Sequence, residues 1–345
     1  MWREERGLKD VKAGGKNMEL QKFTEKTTKA LMDYFGEGVE IKTHKVYKNN
    51  GILLHGICAL QQGKNIAPTV YLNDFLHKYE EGVSFGEIIR SIVQFMENNQ
   101  VVNNLDVDFF FEYESVRKRL VLRLIHKEKN KELLEQVPYL KFQDLAIVCH
   151  CIMVTEEIGN GSILIHKHHL EAWGVGEETL FQDAFENSPR VEHYSILKMS
   201  EMMKNILKDS VKEQIDEICT GDMIEKENLL DITLEKMARE IEERNIPMYV
   251  LTNTKRYYGA ASLVYPDMLD IIGNMLNDDF YILPSSVHEI IFVGRTNCVN
   301  SFVLNEMVLE VNRTQVEEEE WLSDHVYLYQ RENHKLISIA NHKQD

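Results

Sequence analysis

Apolar residues recur along this chain at two periods, one near 3.6 and one of 2, and the switches between them mark the predicted elements. Leu20, Phe23, Ala30, Leu31, Tyr34 and Phe35 share one helical face. Residues 39–47, VEIKTHKVY, then read as a strand. Asn49-Asn50-Gly51 predicts a hairpin turn, because Asn and Gly tolerate positive φ, and residues 51–60 are the return strand. Residues 67–72 supply a third extended piece. Ser84, with Glu87 three positions on, predicts a capping box opening a helix whose buried face carries Ile88, Ile89, Ile92, Val93 and Met96. Residues 120–125 read as a strand, and 145–154 with 162–166 as a second hairpin turned by Gly159-Asn160-Gly161.

The second half opens on helices. Residues 169–173 and 177–186 predict short ones. Met199, Met202, Met203, Ile206, Leu207, Val211 and Ile215 mark a long amphipathic helix, in which methionine reads as core filler. Leu234, Met237, Ala238 and Ile241 mark another, stopped by Pro247, before a strand over 248–252. Pro266 opens a helix through 276; residues 300–316 are helical and 326–329 with 336–339 are late strands. Strands and helices intersperse without a regular βαβ period, which predicts an α+β fold in two closely packed lobes, with no Rossmann or P-loop core. The expected division is a leader or tail over 1–18, one lobe over 19–155 and a second over 156–345.

Length and charge narrow the function classes. A 345-residue chain buries a sizeable core without staples. A formal net charge of -17 repels phosphate backbones and anionic membranes, so neither nucleic acid nor membrane is an expected partner. The one basic run, residues 117–131 with Arg117, Lys118, Arg119, Arg123, Lys127, Lys129 and Lys131, is diluted by glutamates and reads as an exposed charged face. Five cysteines without a C-x-x-C pair predict reduced thiols and a cytoplasmic location. Gly14-Gly15 ahead of Met18 is compatible with a translated ribosome-binding sequence, which would make Met18 the start, or with a natural tail.

Candidate chemistry concentrates at residues 279–293, DFYILPSSVHEIIFV. Two apolar runs there flank a polar turn, and Tyr281, Ser285, Ser286, His288 and Glu289 are the candidate ligand or partner residues. A serine nucleophile needs a base within hydrogen-bond reach and oxyanion donors. Ser286 and His288 could share a strand face, but Glu289 would point away and no G-x-S-x-G elbow is present. A turn whose hydroxyls satisfy local backbone groups competes with that reading. His288-Glu289-Ile290-Ile291-Phe292 lacks the second histidine of a zinc protease. His166, His168, His169 and Glu171 straddle a predicted strand end and helix start, and read as a solvated loop. Alternation puts Cys149 and Cys151 on one strand face and His150 on the other, as core. The acidic run 317–320 reads as a solvated helix end. No metal and no cofactor is expected.

Several segments together resemble an uncharacterised bacterial domain family found in anaerobic Gram-positive bacteria. They are Lys48-Asn49-Asn50-Gly51, Pro68-Thr69-Val70-Tyr71-Leu72-Asn73, Phe142-Gln143-Asp144-Leu145-Ala146, His169-Leu170 with Trp173-Gly174, Glu186-Asn187-Ser188-Pro189-Arg190, and the run YILPSSVHE at 281–289. They extend from about residue 20 to about residue 330. The C-terminal half more weakly resembles a second uncharacterised bacterial family. Neither resemblance implies an activity, a cofactor or a catalytic residue. The leading expectation is a soluble protein- or ligand-binding module whose partner is an unknown protein or small ligand. The alternative is a hydrolase-type enzyme using the 284–289 turn.

Overall fold

The computed structural model describes residues 4–100, 107–155, 159–218, 223–244, 246–284, 286–297 and 300–339. The chain divides into two compact units, Met1–Phe111 with Met153–Gly161 and Glu112–Ile152 with Ser162–Asp345. The class is α+β, as the mixed periodicity predicts. No helix among the described residues is long and apolar enough to cross a membrane.

In the first unit, α1 (Glu4–Phe35) precedes an antiparallel sheet of β1 (Val39–Tyr47), β2 (Leu53–Gln61) and β3 (Thr69–Tyr71), then α2 (Leu72–Glu80) and α3 (Phe85–Asn98). The turn between β1 and β2 needs its sequence: Asn50 has φ 62° and Gly51 φ 72°. Register pairs Ile41 with Ala59 and Ile57 with Val70, so these apolar side chains share a face. Leu20, Phe23 and Leu31 of α1 and Ile88, Ile92, Val93 and Met96 of α3 close a core over it. The predicted capping box is present: Ser84 Oγ accepts the Glu87 N–H while Glu87 accepts the Ser84 N–H.

The second unit begins with α4 (Tyr113–Val116), β4 (Leu120–His126), α5 (Lys131–Gln136) and β5 (Tyr139–Phe142). β6 (Leu145–Thr155) pairs with β4, β5 and β7 (Gly159–Leu164). Gly159, Asn160 and Gly161 are therefore strand residues and not the expected turn; residues 156–158 lie outside the described residues. After α6 (Lys167–Trp173), α7 (Glu177–Val191) continues past the expected end at 186, through Pro189. Its last turns are held from outside the helix. Asn187 Nδ2 donates to Leu120 O at 2.9 Å, and Ser188 Oγ accepts the Leu122 N–H at 2.9 Å while donating to Ala184 O. These bonds satisfy the free edge of β4 and offset the donor that proline removes.

A six-stranded antiparallel sheet follows, in the order β13-β12-β10-β11-β9-β8. Its strands are β8 (Tyr194–Lys198), β9 (Met248–Asn253), β10 (Phe280–Leu283), β11 (Ile290–Gly294), β12 (Val326–Gln330) and β13 (Lys335–Ile339). Its helices are α8 (Met199–Ile218), α9 (Met223–Arg244), α10 (Met268–Leu276) and α11 (Ser301–Thr314), the last capped by Asn300 Oδ1 on the Phe302 N–H. Alternation gives the sheet two buried faces. Leu283, Val293 and Val326, with Met248, Tyr281 and Ile291, face Leu304 and Val308 of α11. Phe280, Ile282, Ile290, Phe292, Leu251 and Tyr327 point to the other side, where the 3₁₀ segment Gly259–Val264 packs on β9 and β11. The β10–β11 turn is thus held between two packed layers.

Candidate functional site

The turn from Pro284 to Glu289 is tied down on both flanks. Pro284 O accepts the Ser323 N–H at 2.9 Å, Val287 N–H donates to Glu320 O at 2.9 Å, and Ala260 N–H donates to Val287 O at 3.2 Å. Ser286 forms an isolated bridge with Trp321. Gly259 sits against the same turn so closely that a Cβ there would lie 2.4 Å from Asn253 N and 2.8 Å from His288 O. Only glycine fits such an approach.

His288 is the centre of this arrangement. Its Nδ1 accepts the Tyr258 N–H at 3.1 Å, which leaves the ring proton on Nε2, facing Glu320 Oε1 at 3.0 Å. Its carbonyl accepts from Thr252 Oγ1 at 2.8 Å, and Tyr257 stacks on the ring at 5.2 Å. Ser286 Oγ accepts the His288 backbone N–H at 3.1 Å. Both ring nitrogens are engaged, and the serine oxygen meets His288 through its backbone. Glu320 is the partner that sequence reasoning missed. The run 317–320 lies beyond the end of α11 in a turn, so it is not the expected solvated helix end. A glutamate 32 positions from its histidine leaves no local spacing signal.

The remaining candidates divide. Glu289 is half-buried, and desolvation pushes its carboxyl up, opposed by His288 and Arg256. Tyr281 is half-buried in β10 and packs at the edge of the α11-covered core. Ser285 lies outside the described residues.

Other clusters resolve in physical terms. Cys149 and Cys151 are buried on one face of β6, and burial pushes the Cys151 thiol up to about 12 and that of Cys149 higher still. The basic run does not form a single charged face. Arg123 is 3% exposed and pairs with Glu192 at 2.5 and 2.7 Å, Arg117 pairs with Asp183 at 3.2 Å, and Lys129 lies 3.0 Å from the Trp321 ring centroid. Alternation explains the correction: β4 is buried on both faces, so its arginine must go inward with a partner. His166, His168 and His169 lie at the start of α6, where a helix replaces the expected loop; His168 is exposed, and the three ring centroids lie 4.1–5.6 Å apart. Among the described residues no group of three or more His, Cys, Asp or Glu is arranged to hold a metal ion.

These histidines predict acid lability. Burial first, then neighbouring cations, lowers His169 to about 4 and His150 to about 3, and burial also lowers His126 and His166. Below the ordinary imidazole pKa of about 6.5 the unfolded chain takes up protons that the native rings refuse. Stability is therefore fully present above about pH 6.5 and is lost as pH falls toward the depressed native values. The urea midpoint is expected to drop between pH 7 and pH 5, and His169→Gln should flatten that drop. A midpoint equally pH-dependent in the variant would contradict the assignment.

A separate cavity lies elsewhere in the second unit. A cleft of about 820 Å³ opens where the start of α8, the end of α9, the start of β9 and α11 meet. Met199 and Met203 come from α8, Met248 from β9 and Met307 from α11, with Ile246 and Pro247 beside them. Its polar edge is a closed group: Lys198 Nζ lies 3.1 Å from Glu242 Oε1, and Ser200 Oγ donates to the same oxygen at 2.7 Å. The expectation that the α8 methionines are core filler holds for Met202, which is buried, but Met199 and Met203 line an open surface. Methionine density was the available signal, and what it lacked was the contribution of Met248 and Met307 from distant strands and helices.

Fold and sites together define an α+β protein with a tightly tied β10–β11 turn and, apart from it, an apolar cleft lined from α8, α9, β9 and α11. The chain belongs to a family of unknown function, DUF5688, whose sequence model matches residues 20–331. No curated protein and no solved structure gives a significant match.

Proposed function

We propose that this protein works by binding another protein, and that the methionine-lined cleft is the contact site. The observation that carries this reading is the cleft's lining. Apolar side chains converge there from α8, β9 and α11, and four of them are methionines, which re-pack around differently shaped partners. The apolar surface also runs past the cavity: Ile206 on α8 is 58% exposed and Val303 on α11 54%. A pocket for a small molecule would enclose such groups, whereas a protein-binding surface leaves them out until the partner arrives.

The hydrolytic alternative at the 284–289 turn has less support. A general base needs a free ring lone pair next to the nucleophile, and His288 Nδ1 spends its lone pair on the Tyr258 N–H. Ser286 and His288 read better as a tie to Thr252, Tyr258, Glu320 and Trp321.

Nile red, a neutral apolar dye, tests whether the cleft accepts apolar surface. Saturable fluorescence enhancement is expected in the wild type, with its loss in Met203→Glu and in Met307→Glu at unchanged circular dichroism and melting temperature. Enhancement that is absent, or equal in all three proteins, would sink the cleft as a contact site.

A further inference from the structure

We infer that the partner segment is a basic amphipathic α-helix of another protein, laid between α8 and α11. This deepens the proposed function and rests on it.

Three observations select the helix. α8 presents Met199, Met203 and Ile206 at i, i+4 and i+7, one stripe along about 10 Å of helix. α11 presents Val303 and Met307 at i and i+4 on the opposite bank. Two apolar helical stripes flanking a groove match the apolar stripe of a third helix, which anchors through the same i, i+3, i+4 and i+7 positions. β9 itself offers no edge to an added strand, because Tyr249 is already paired with Lys198 of β8 and Phe292 of β11, and β8 has only five residues.

The charges select a basic partner. Two lysines along the α8 bank are held by carboxylates, Lys198 by Glu242 at 3.1 Å and Lys204 by Glu235. On the α11 bank, Glu306 and Glu310 are exposed, and helical spacing places Glu310 one turn beyond Met307 and Glu306 one turn beyond Val303. Glu201 is exposed on the first turn of α8. The apolar stripes are thus edged by acid on a chain whose formal net charge is -17. A helix with an apolar face and a Lys- or Arg-rich opposite face satisfies both features, while an acidic helix meets like charge on both banks.

Three fluorescein-labelled peptides made only of Leu, Lys and Glu test this by anisotropy at about 150 mM salt. One carries Leu at helical spacing with Lys elsewhere. The second has that composition permuted to remove the apolar face. The third keeps the Leu spacing and replaces Lys by Glu. The first should bind at least about tenfold more tightly than either of the others. The double variant Glu306→Lys, Glu310→Lys should weaken it, and Met203→Glu should abolish the preference over the permuted peptide. Equal binding of the Lys and Glu peptides, with Nile red still bound, would overturn the basic-helix inference and leave the cleft standing. Equal binding of the ordered and permuted Lys peptides would overturn it too, as bulk charge attraction. Failure of all three peptides together with Nile red would remove both the inference and the reading beneath it.

Discussion

Glu192→Ala is expected to destabilise the protein by about 3–5 kcal/mol, the range for removing one partner of a buried ion pair. Glu192 and Arg123 are 4% and 3% exposed, and their bidentate contact at 2.5 and 2.7 Å is the carboxylate's match to the guanidinium fork. Removing the carboxylate leaves a guanidinium buried with the Leu122 carbonyl at 3.0 Å and the Tyr258 ring at 5.2 Å. Neither neutralises a charge away from water, so the loss reflects an unpaired ion more than a lost attraction. The pair itself is a different matter. Replacing both members, Arg123→Met with Glu192→Leu, removes the desolvation cost along with the contact and should recover most of the loss. Urea unfolding of the two singles and the double gives the comparison. A Glu192→Ala midpoint within error of the wild type would mean that Arg123 finds water or another acid, and that the pair is not a fixed part of the fold.

That ion pair was invisible in the sequence, and the reason is general. The seven basic residues between 117 and 131 read as one exposed face because charge runs on a chain of net charge -17 are usually solvated. Burial of β4 on both faces was the missing fact, and it depends on α7 and the Gly259–Val264 segment arriving from more than fifty residues away. Local signals fared better. β1 was legible to the residue because alternation and the Asn-Gly turn set it independently of tertiary context. The Ser84–Glu87 box was legible because both partners lie within one turn. Strand β8 carried no clear alternation and was not read from the sequence at all; it exists as the sheet edge that β9 pairs with.

The segments that carry the family resemblance turn out to be tertiary ties. Asn73 accepts the His55 N–H at 2.9 Å and donates to Leu53 O at 3.2 Å, fixing α2 to β2. Asp144, on the turn into β6, accepts from Tyr327 Oη and from Ser323 Oγ at 2.7 Å, linking that turn to β12. Asn187 and Ser188 satisfy the edge of β4. The polar turn at 284–289 has the same character: the His288 ring meets the Tyr258 N–H and Glu320, and Ser286 Oγ accepts the His288 N–H within the turn. A short polar motif between apolar runs cannot distinguish such a tie from a catalytic site, because both need directed hydrogen bonds. The cleft was illegible for the converse reason. Its lining is apolar and drawn from four separate stretches, and each stretch alone looks like core.

The β10–β11 hairpin offers the sharpest contrast between packing and polar ties. Phe292→Ala is expected to cost about 3–5 kcal/mol, the usual range for truncating a buried aromatic side chain. Phe292 is fully buried, stacked on Tyr249 at 5.4 Å with an interplanar angle of 13°, and edge-on to Phe280 at 5.9 Å. The variant loses the transfer free energy of the ring, leaves a cavity that two rigid neighbours cannot close, and forfeits both ring contacts. His288→Ala is expected to cost less, about 1–3 kcal/mol, because its half-buried ring gives up two hydrogen bonds and strands the Tyr258 N–H, but little apolar area. His288→Gln, which can still accept one of those bonds, should fall between His288→Ala and wild type. Nile red binding should survive in every folded His288 variant, because no residue of the 284–289 turn lines the cleft. Equal losses for Phe292→Ala and His288→Ala would show that the turn's polar ties are worth as much as the core beneath them. A His288→Ala protein as stable as wild type, but no longer able to bind a partner of the wild type, would move the contact site from the cleft to the turn.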